Sequence, residues 1–355
     1  MIHGGDIYTE GVLKGKKLLD YSSNINPLGV PEVFLENIKE AIKNMAVYPD
    51  IQYRNLIKYI EEYIGCRGAD ILLGNGASEL IDLSIGLFKS ILIVVPSYGE
   101  YEIDAKRWNC RIEFSYLSSN MEIDYDDIMD KMVELNSIII GNPNNPNGGV
   151  IDKVKFQPIL DFCENNDKVI ILDETFIEFT GKTEFSFIDE IDQYESIFII
   201  RAMTKFFALP GIRFGYGITK NKSILQGIKS RQNPWNINCF AEVAAKYCLK
   251  DLNYIHKARV VANKERQFMT EELGKLYFIE KVFETHANFI LCKIRNVSEE
   301  QVYDYCINRA IIIRKASNFR GLDKRFIRLA IKDRSSNEKL LTVLRHFQRN
   351  SYPVC

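Results

Sequence analysis

Lys205 stands one residue after a hydroxyl, Thr204, and eight before an arginine, Arg213, in Arg201-Ala202-Met203-Thr204-Lys205-Phe206-Phe207-Ala208-Leu209-Pro210-Gly211-Ile212-Arg213. A lysine amine can condense with an aldehyde, while a hydroxyl and a guanidinium fork can hold a phosphate. Pyridoxal phosphate (PLP) carries both groups, and this layout suits it as an anchor. The spacing alone also describes a basic turn with solvated charges, so the reading depends on the segments around it.

Four such segments have a use in a PLP site. Gly74-Asn75-Gly76-Ala77-Ser78-Glu79 follows the apolar Ile71-Leu72-Leu73 and opens an apolar helix, and its glycines and free backbone N–H groups suit a phosphate at a helix N-terminus. Tyr98, two residues after Pro96, could lie over a pyridine ring or be an ordinary loop aromatic. Asp173 at a strand end could pair with a pyridinium nitrogen and so make the ring an electron sink, or could simply cap a turn. Asn145, in Asn144-Asn145-Pro146-Asn147-Gly148, offers an amide to the cofactor's phenolic oxygen or belongs to an Asn/Pro/Gly turn.

The elements that must carry these residues are short apolar runs alternating with amphipathic segments. Ile91–Val95, Ile138–Ile140, Val169–Leu172 and Ile197–Ile200 are apolar on both faces, as strands covered by helices on both sides are. Segments 151–166 and 222–250 have helical length and spacing, so the fold class is α/β with a mostly parallel sheet. The last three runs end directly in Gly141-Asn142, Asp173-Glu174 and Arg201 to Lys205, and ligands of such sheets bind beyond the carboxyl ends of the strands. From about residue 256 the pattern changes to a smaller α+β domain. The organisation expected is an N-terminal arm (1–40) packed on a small domain (256–355), beside a large PLP-binding domain (41–255).

Composition narrows the classes. The chain has 355 residues, with 46 basic and 47 acidic side chains and a formal charge of −1, so no general attraction to nucleic acid or anionic membrane is expected. No run approaches the roughly 20 apolar residues that span a bilayer, and Met1-Ile2-His3-Gly4-Gly5-Asp6 lacks the pattern of a signal peptide, so a cytoplasmic location is expected. The eight cysteines form no C-x-x-C pair and read as buried thiols, and the histidines at 3, 256, 286 and 346 form no local metal motif. No metal is expected.

Taken in order, these segments resemble fold-type I PLP-dependent aminotransferases, in the branch of threonine-phosphate decarboxylase and histidinol-phosphate aminotransferase. The resemblance covers nearly the whole chain. It implies the PLP-dependent transferase fold, with Lys205 as the covalent lysine, Asp173 on the pyridine nitrogen, Asn145 on the phenolic oxygen and Tyr98 stacked on the ring. It also implies Ala77, Ser78, Thr204 and Arg213 on the phosphate, and Arg328, in Phe326-Ile327-Arg328-Leu329, on the substrate carboxylate. Tyr48, in Tyr48-Pro49-Asp50, would reach the phosphate of a neighbouring subunit, which implies a homodimer with shared sites.

Departures choose within the branch. Asp173-Glu174-Thr175-Phe176 has Phe176 where the aminotransferases carry a tyrosine, and this is like the threonine-phosphate decarboxylases. So are His3-Gly4-Gly5, Ser23-Asn24-Ile25-Asn26-Pro27-Leu28-Gly29 and Pro234-Trp235-Asn236-Ile237-Asn238. Ala202, Asn147 and Asp6 stand where serine, threonine and asparagine are usual. The expectation is decarboxylation of a phosphorylated amino acid, with His3, Asn24 and Asn26 as candidates for the distal phosphate. Transamination of histidinol phosphate with 2-oxoglutarate is the alternative. A non-catalytic regulator on the same fold is the reading from another class, and no basic arm or helix-turn-helix pattern before residue 40 supports it.

Overall fold

The computed structural model describes residues 4–66 and 68–351. The chain opens with β1 (Leu19–Asp20), α1 (Glu32–Asn44) and α2 (Arg54–Ile64). A seven-stranded sheet follows, built from β2 (Asp70–Gly74), β3 (Ser90–Val95), β4 (Arg111–Tyr116), β5 (Ser137–Gly141), β6 (Val169–Asp173), β7 (Ile197–Ala202) and β8 (Gly215–Thr219). Its order is β2-β8-β7-β6-β5-β3-β4, and only β8 runs against its neighbours. The helices that accompany it are α3 (Ala77–Ile85), α4 (Glu100–Arg107), α5 (Tyr125–Met132), α6 (Lys153–Asn165), α7 (Lys222–Lys229) and α8 (Cys239–Cys248).

Successive side chains of a strand point to opposite faces, and here both faces are apolar. Leu92, Val94, Ile138, Ile140, Ile170 and Leu172 join one buried cluster, while Ile91, Ile93, Val95, Ile139, Ile171 and Phe198 join another on the opposite face. Fully burying each such side chain is worth about 1.5–3 kcal/mol, so the strands cannot slip in register without exposing a core. That fixed register aligns the strand ends. Gly141 lies beside Asp173, Asp173 beside Ile200, and Ala202 and Gly74 on either side of Gly215. Beneath this edge the buried Arg201 donates to Glu174 at 3.0 and 2.9 Å and thereby ties β6 to β7.

The long α9 (Leu252–Gly274) leads to the second unit. Its antiparallel sheet has the order β12-β13-β10-β9, from β9 (Ile279–Val282), β10 (Phe289–Ile294), β12 (Arg314–Lys315) and β13 (Phe326–Ala330). The helices α10 (Glu299–Ile307) and α11 (Arg334–Ser351) pack against it, and β11 (Ile311–Ile312) pairs in parallel with β1. The first forty residues therefore divide: β1 joins the small unit, with Tyr21 donating to Asn337 at 2.9 Å, while α1 lies on α8, where Lys246 bonds Glu40 at 2.7 Å. Among the described residues no helix is long and apolar enough to cross a membrane.

Candidate active site

A cleft of about 720 Å³ opens at the carboxyl edge of the large sheet, closed on its other side by the small unit. Ala77, Ser78, Tyr98, Asn145, Asp173, Phe176, Thr204, Lys205, Arg213, Arg328 and Asn24 all line it. Segments that lie far apart in the chain are thus brought to one place by strand order.

One end of the cleft is built for an anion. Helices α5 to α10 each begin on an Asp, Asn or Ser whose side chain accepts a backbone N–H. α3 begins on Gly76 with no side-chain cap, which leaves its first N–H groups for a ligand. Gly76 has φ of +82°, and a Cβ there would fall 2.4 Å from Arg213 Nη2. A Cβ on Gly215 would fall 2.6 Å from the Ala77 nitrogen. The two glycines let Arg213 and the helix terminus approach each other, and Arg213 Nη2 donates to Ser78 Oγ at 3.1 Å.

In the middle of the cleft Asp173 is buried, and burial pushes its carboxyl pKa up. Two donors counter this: Tyr101 Oη reaches its Oδ2 at 2.5 Å, and the Thr175 N–H reaches its Oδ1 at 3.0 Å. The Tyr98 ring stands edge-on to Tyr101 with centroids 5.7 Å apart, and Phe176 packs edge-on against Phe289 at 5.0 Å. Burial, then Arg328 and Arg213, bring the Lys205 amine down to about 8. Three buried polar atoms of cleft residues, Asn24 Oδ1, Ser97 Oγ and Arg328 Nε, have no hydrogen-bond partner among the described residues. A polar ligand would satisfy them.

The asparagines of the β5–α6 loop divide their labour. Asn144 donates to Pro96 O at 2.9 Å and to Asn147 Oδ1 at 2.7 Å, and Asn142 donates to Phe185 O at 2.7 Å. These hold the loop, and Asn145 is the one that faces the cleft, where it accepts from Arg328 Nη1 at 2.5 Å. Asn147 is thus part of the loop's scaffold.

Several residues lie elsewhere. Asn26 does not line the cleft, because its amide donates to Phe206 O at 2.7 Å and its backbone N–H to Lys205 O at 3.1 Å. It clamps the lysine loop from behind. Tyr48 is 79% exposed outside the cleft, against the Trp235 ring at 4.6 Å. His3 lies outside the described residues, but the next residue is placed: a Cβ on Gly4 would fall 2.0 Å from Ser22 O and 3.4 Å from Arg328 Nη2. Asp6 is spent on a turn, accepting from the Tyr8 and Thr9 backbones at 3.1 and 3.0 Å.

Sequence reasoning missed Arg314, Tyr101 and Arg320. Arg314 lines the cleft from β12, in register opposite Arg328 on β13, and Phe319 lies 5.1 and 5.9 Å from the two guanidiniums. A signal existed, since Arg314 ends the apolar run Ile311-Ile312-Ile313 just as Asp173 ends its own strand. At the mouth Arg320 donates to Glu102 at 2.7 and 2.6 Å, which joins the small unit to α4.

The profile of the family described as aminotransferase class I and II matches residues 16–344. The chain belongs to this family. It is therefore a PLP-dependent enzyme of the fold-type I architecture. A protein of Caldanaerobacter subterraneus subsp. tengcongensis, provisionally named a threonine-phosphate decarboxylase, is 39% identical over 348 residues, covering 97% of this chain and 93% of its own. The crystal structure of the histidinol-phosphate aminotransferase from Clostridium acetobutylicum is 58% identical, with a TM-score of 0.92 and coverage of 94% and 100%. The Sinorhizobium meliloti histidinol-phosphate aminotransferase, solved with pyridoxal-5'-phosphate, shares the fold at 16% identity, with a TM-score of 0.85 and coverage of 97% and 95%.

Proposed function

We propose that this enzyme decarboxylates threonine phosphate or a close analogue, an amino acid with a second anionic end. The observation that carries this reading is the pairing of Arg314 and Arg328 across β12 and β13. Like charges directly opposite one another on a sheet repel, and burial and the Arg314 charge together disfavour the Arg328 cation. Glu299 offsets this for Arg314 and Asp20 for Arg328. Two guanidiniums side by side in one cleft suit two anionic groups of one substrate, with Arg328 on the carboxylate and Arg314, Asn24 and His3 toward the phosphate. Asn26 supports this arrangement through the lysine loop.

The residues fit PLP. The α3 N-terminus, Ser78, Thr204 and Arg213 would receive its phosphate, Asp173 its pyridine nitrogen, Asn145 its phenolic oxygen and Tyr98 one face of the ring. Bound there, PLP supplies the electron sink for a bond broken at the substrate's α-carbon. Lys205 would hold the cofactor, be released by the substrate amine, and then act as acid and base at the α-carbon. Arg328 would fix the carboxylate relative to the ring, and that orientation selects which bond breaks. Phe176 places no hydroxyl beside the ring, in the manner of the decarboxylases.

The Clostridium acetobutylicum structure's name favours the second reading, transamination of histidinol phosphate with 2-oxoglutarate. One assay separates the two. Release of CO2 from threonine phosphate without keto acid supports decarboxylation; keto-acid chemistry with histidinol phosphate and 2-oxoglutarate, and no CO2, overturns it. We propose further that the working form is a cytoplasmic homodimer in which Tyr48 completes the neighbour's phosphate site. The exposed apolar patch of Met45, Val47, Tyr48, Ile51 and Trp235 supports this. Residues 41–255 and 256–355 are the proposed domains, with residues 1–40 bridging them.

A further inference from the structure

A carboxylate that is to serve a ring nitrogen must be held in one plane and must keep its charge away from water. Both oxygens of Asp173 are tethered, Oδ1 by the Thr175 backbone and Oδ2 by Tyr101 Oη at 2.5 Å. The Thr175 tether is local, since it comes from two residues along the same strand end. The Tyr101 tether is not. It comes from the first turn of α4, 72 residues away in sequence.

The Tyr101 ring cannot swing away easily. It is 2% exposed, packs in the apolar cluster with Ile93, Ile171 and Ile200, and takes the Tyr98 ring on its edge. A phenol this deep is destabilised without an acceptor, and Asp173 is the acceptor it has. We propose that Tyr101 is a positioning residue, whose hydroxyl aims the charged oxygen of Asp173 at the pyridine nitrogen of PLP and keeps the proton of that contact on the ring. This rests on the assignment of Asp173 made above.

The chemistry is a competition for one proton. With the Tyr101 hydrogen bond in place, the carboxylate is a weak base and the ring nitrogen keeps its proton. Without it the carboxylate becomes more basic and draws the proton to itself. With PLP bound, the ring would then withdraw fewer electrons, and the Lys205 nitrogen would become more basic in turn. The other titratable or charged groups facing this cluster are Glu174 on the same strand end, Glu100 and Asp104 on α4, Tyr98 ahead of it, and Lys205 and Arg213 across the cleft. Tyr101→Phe removes none of these groups and keeps the ring on which Tyr98 packs.

The test uses the PLP-loaded enzyme and reads the pH at which its visible absorption band changes, with Tyr101→Phe, Asp173→Asn and the double variant beside the wild type. Phenylalanine keeps the ring and its packing. In Tyr101→Phe the midpoint should rise by about one pH unit, a ten-fold change in proton affinity and the effect of one lost hydrogen bond to a charged acceptor. PLP should also dissociate several-fold more readily. In Asp173→Asn the midpoint should rise on its own, and adding Tyr101→Phe should move it no further. A Tyr101→Phe enzyme that titrates like the wild type overturns the proposal, and so does a shift that persists undiminished in the Asp173→Asn background. An Asp173→Asn enzyme that titrates like the wild type refutes the assignment of Asp173 itself.

Discussion

Arg328 on β13 donates to Asn145 Oδ1 at 2.5 Å, so a strand of the small unit and a loop of the large one meet inside the cleft. The second guanidinium nitrogen, Nη2, donates to Ser22 O at 2.6 Å, in the N-terminal arm. Three parts of the chain thus meet at one side chain, whose planar fork serves Asn145 and Ser22 with a separate nitrogen each.

Arg328→Lys should therefore be far from conservative. An ammonium keeps the charge but cannot hold Asn145, Ser22 and a substrate carboxylate in one plane. kcat/KM should fall by about 100-fold, corresponding to roughly 3 kcal/mol of charge-assisted hydrogen bonding. Steady-state kinetics that agree within a factor of two would refute the role.

The depressed amine of Lys205 sets a pH dependence for cofactor capture. Attack on an aldehyde needs the neutral amine, which is present above the pKa. Burial, Arg328 and Arg213 bring that value from 10.5 to about 8. The rate at which PLP-free protein takes up PLP should rise through pH 8 and then level off. Arg328→Gln removes one cation and should shift the rise to higher pH. Stopped-flow absorbance reads both, and a wild-type rate still climbing beyond pH 10 would contradict the site's electrostatics.

Lys205→Ala should remove the covalent link and all but residual turnover, because nucleophile and proton carrier disappear together. The phosphate end remains, so PLP should still bind reversibly. Borohydride reduction of the wild type followed by peptide mapping should find the label on Lys205, and a label on another lysine would displace the assignment.

Gly76→Ala should weaken PLP binding at least ten-fold in equilibrium dialysis. The backbone sits at φ +82°, where a side chain is strained, and the new methyl would meet Arg213 Nη2 at 2.4 Å. The free energy of unfolding should fall in parallel, by about 1–3 kcal/mol. Unchanged retention would mean that Arg213 does not depend on this close approach.

Tyr48→Phe should leave the fold intact and loosen PLP by about ten-fold, the effect of a hydrogen bond to a charged acceptor. Sedimentation should show a dimer for both forms. A fully active monomer would remove the basis for a shared site.

What the sequence makes legible here follows from how strongly each residue is constrained by its neighbours in the chain. Asp173 ends one doubly apolar strand, and Lys205 and Asn145 lie three and four residues beyond the ends of two others, so strand periodicity carries all three to the sheet's carboxyl edge. Arg314 and Tyr101 depend on partners 14 and 72 residues away, across a strand pair and across the sheet. Local pattern carries no record of such distances. Asn26 shows the converse, since an amide in a recognisable segment turned out to hold the lysine loop through Phe206 O. A residue type can be read from the chain, but the direction in which it spends its hydrogen bonds is decided by packing.

The pairing of β1 with β11 has a consequence for how the molecule is made. The partners Leu19 and Ile311 are separated by about 290 residues, and Arg328, which binds Ser22, lies further on still. At ribosomal speeds of roughly 5–20 residues per second, the opening strand waits about 15–60 s for its partner. Throughout that interval the large sheet can form while the cleft lacks one wall. The wall of the cleft that carries Arg314 and Arg328 is thus added only after β12 and β13 have emerged, more than a hundred residues after Lys205.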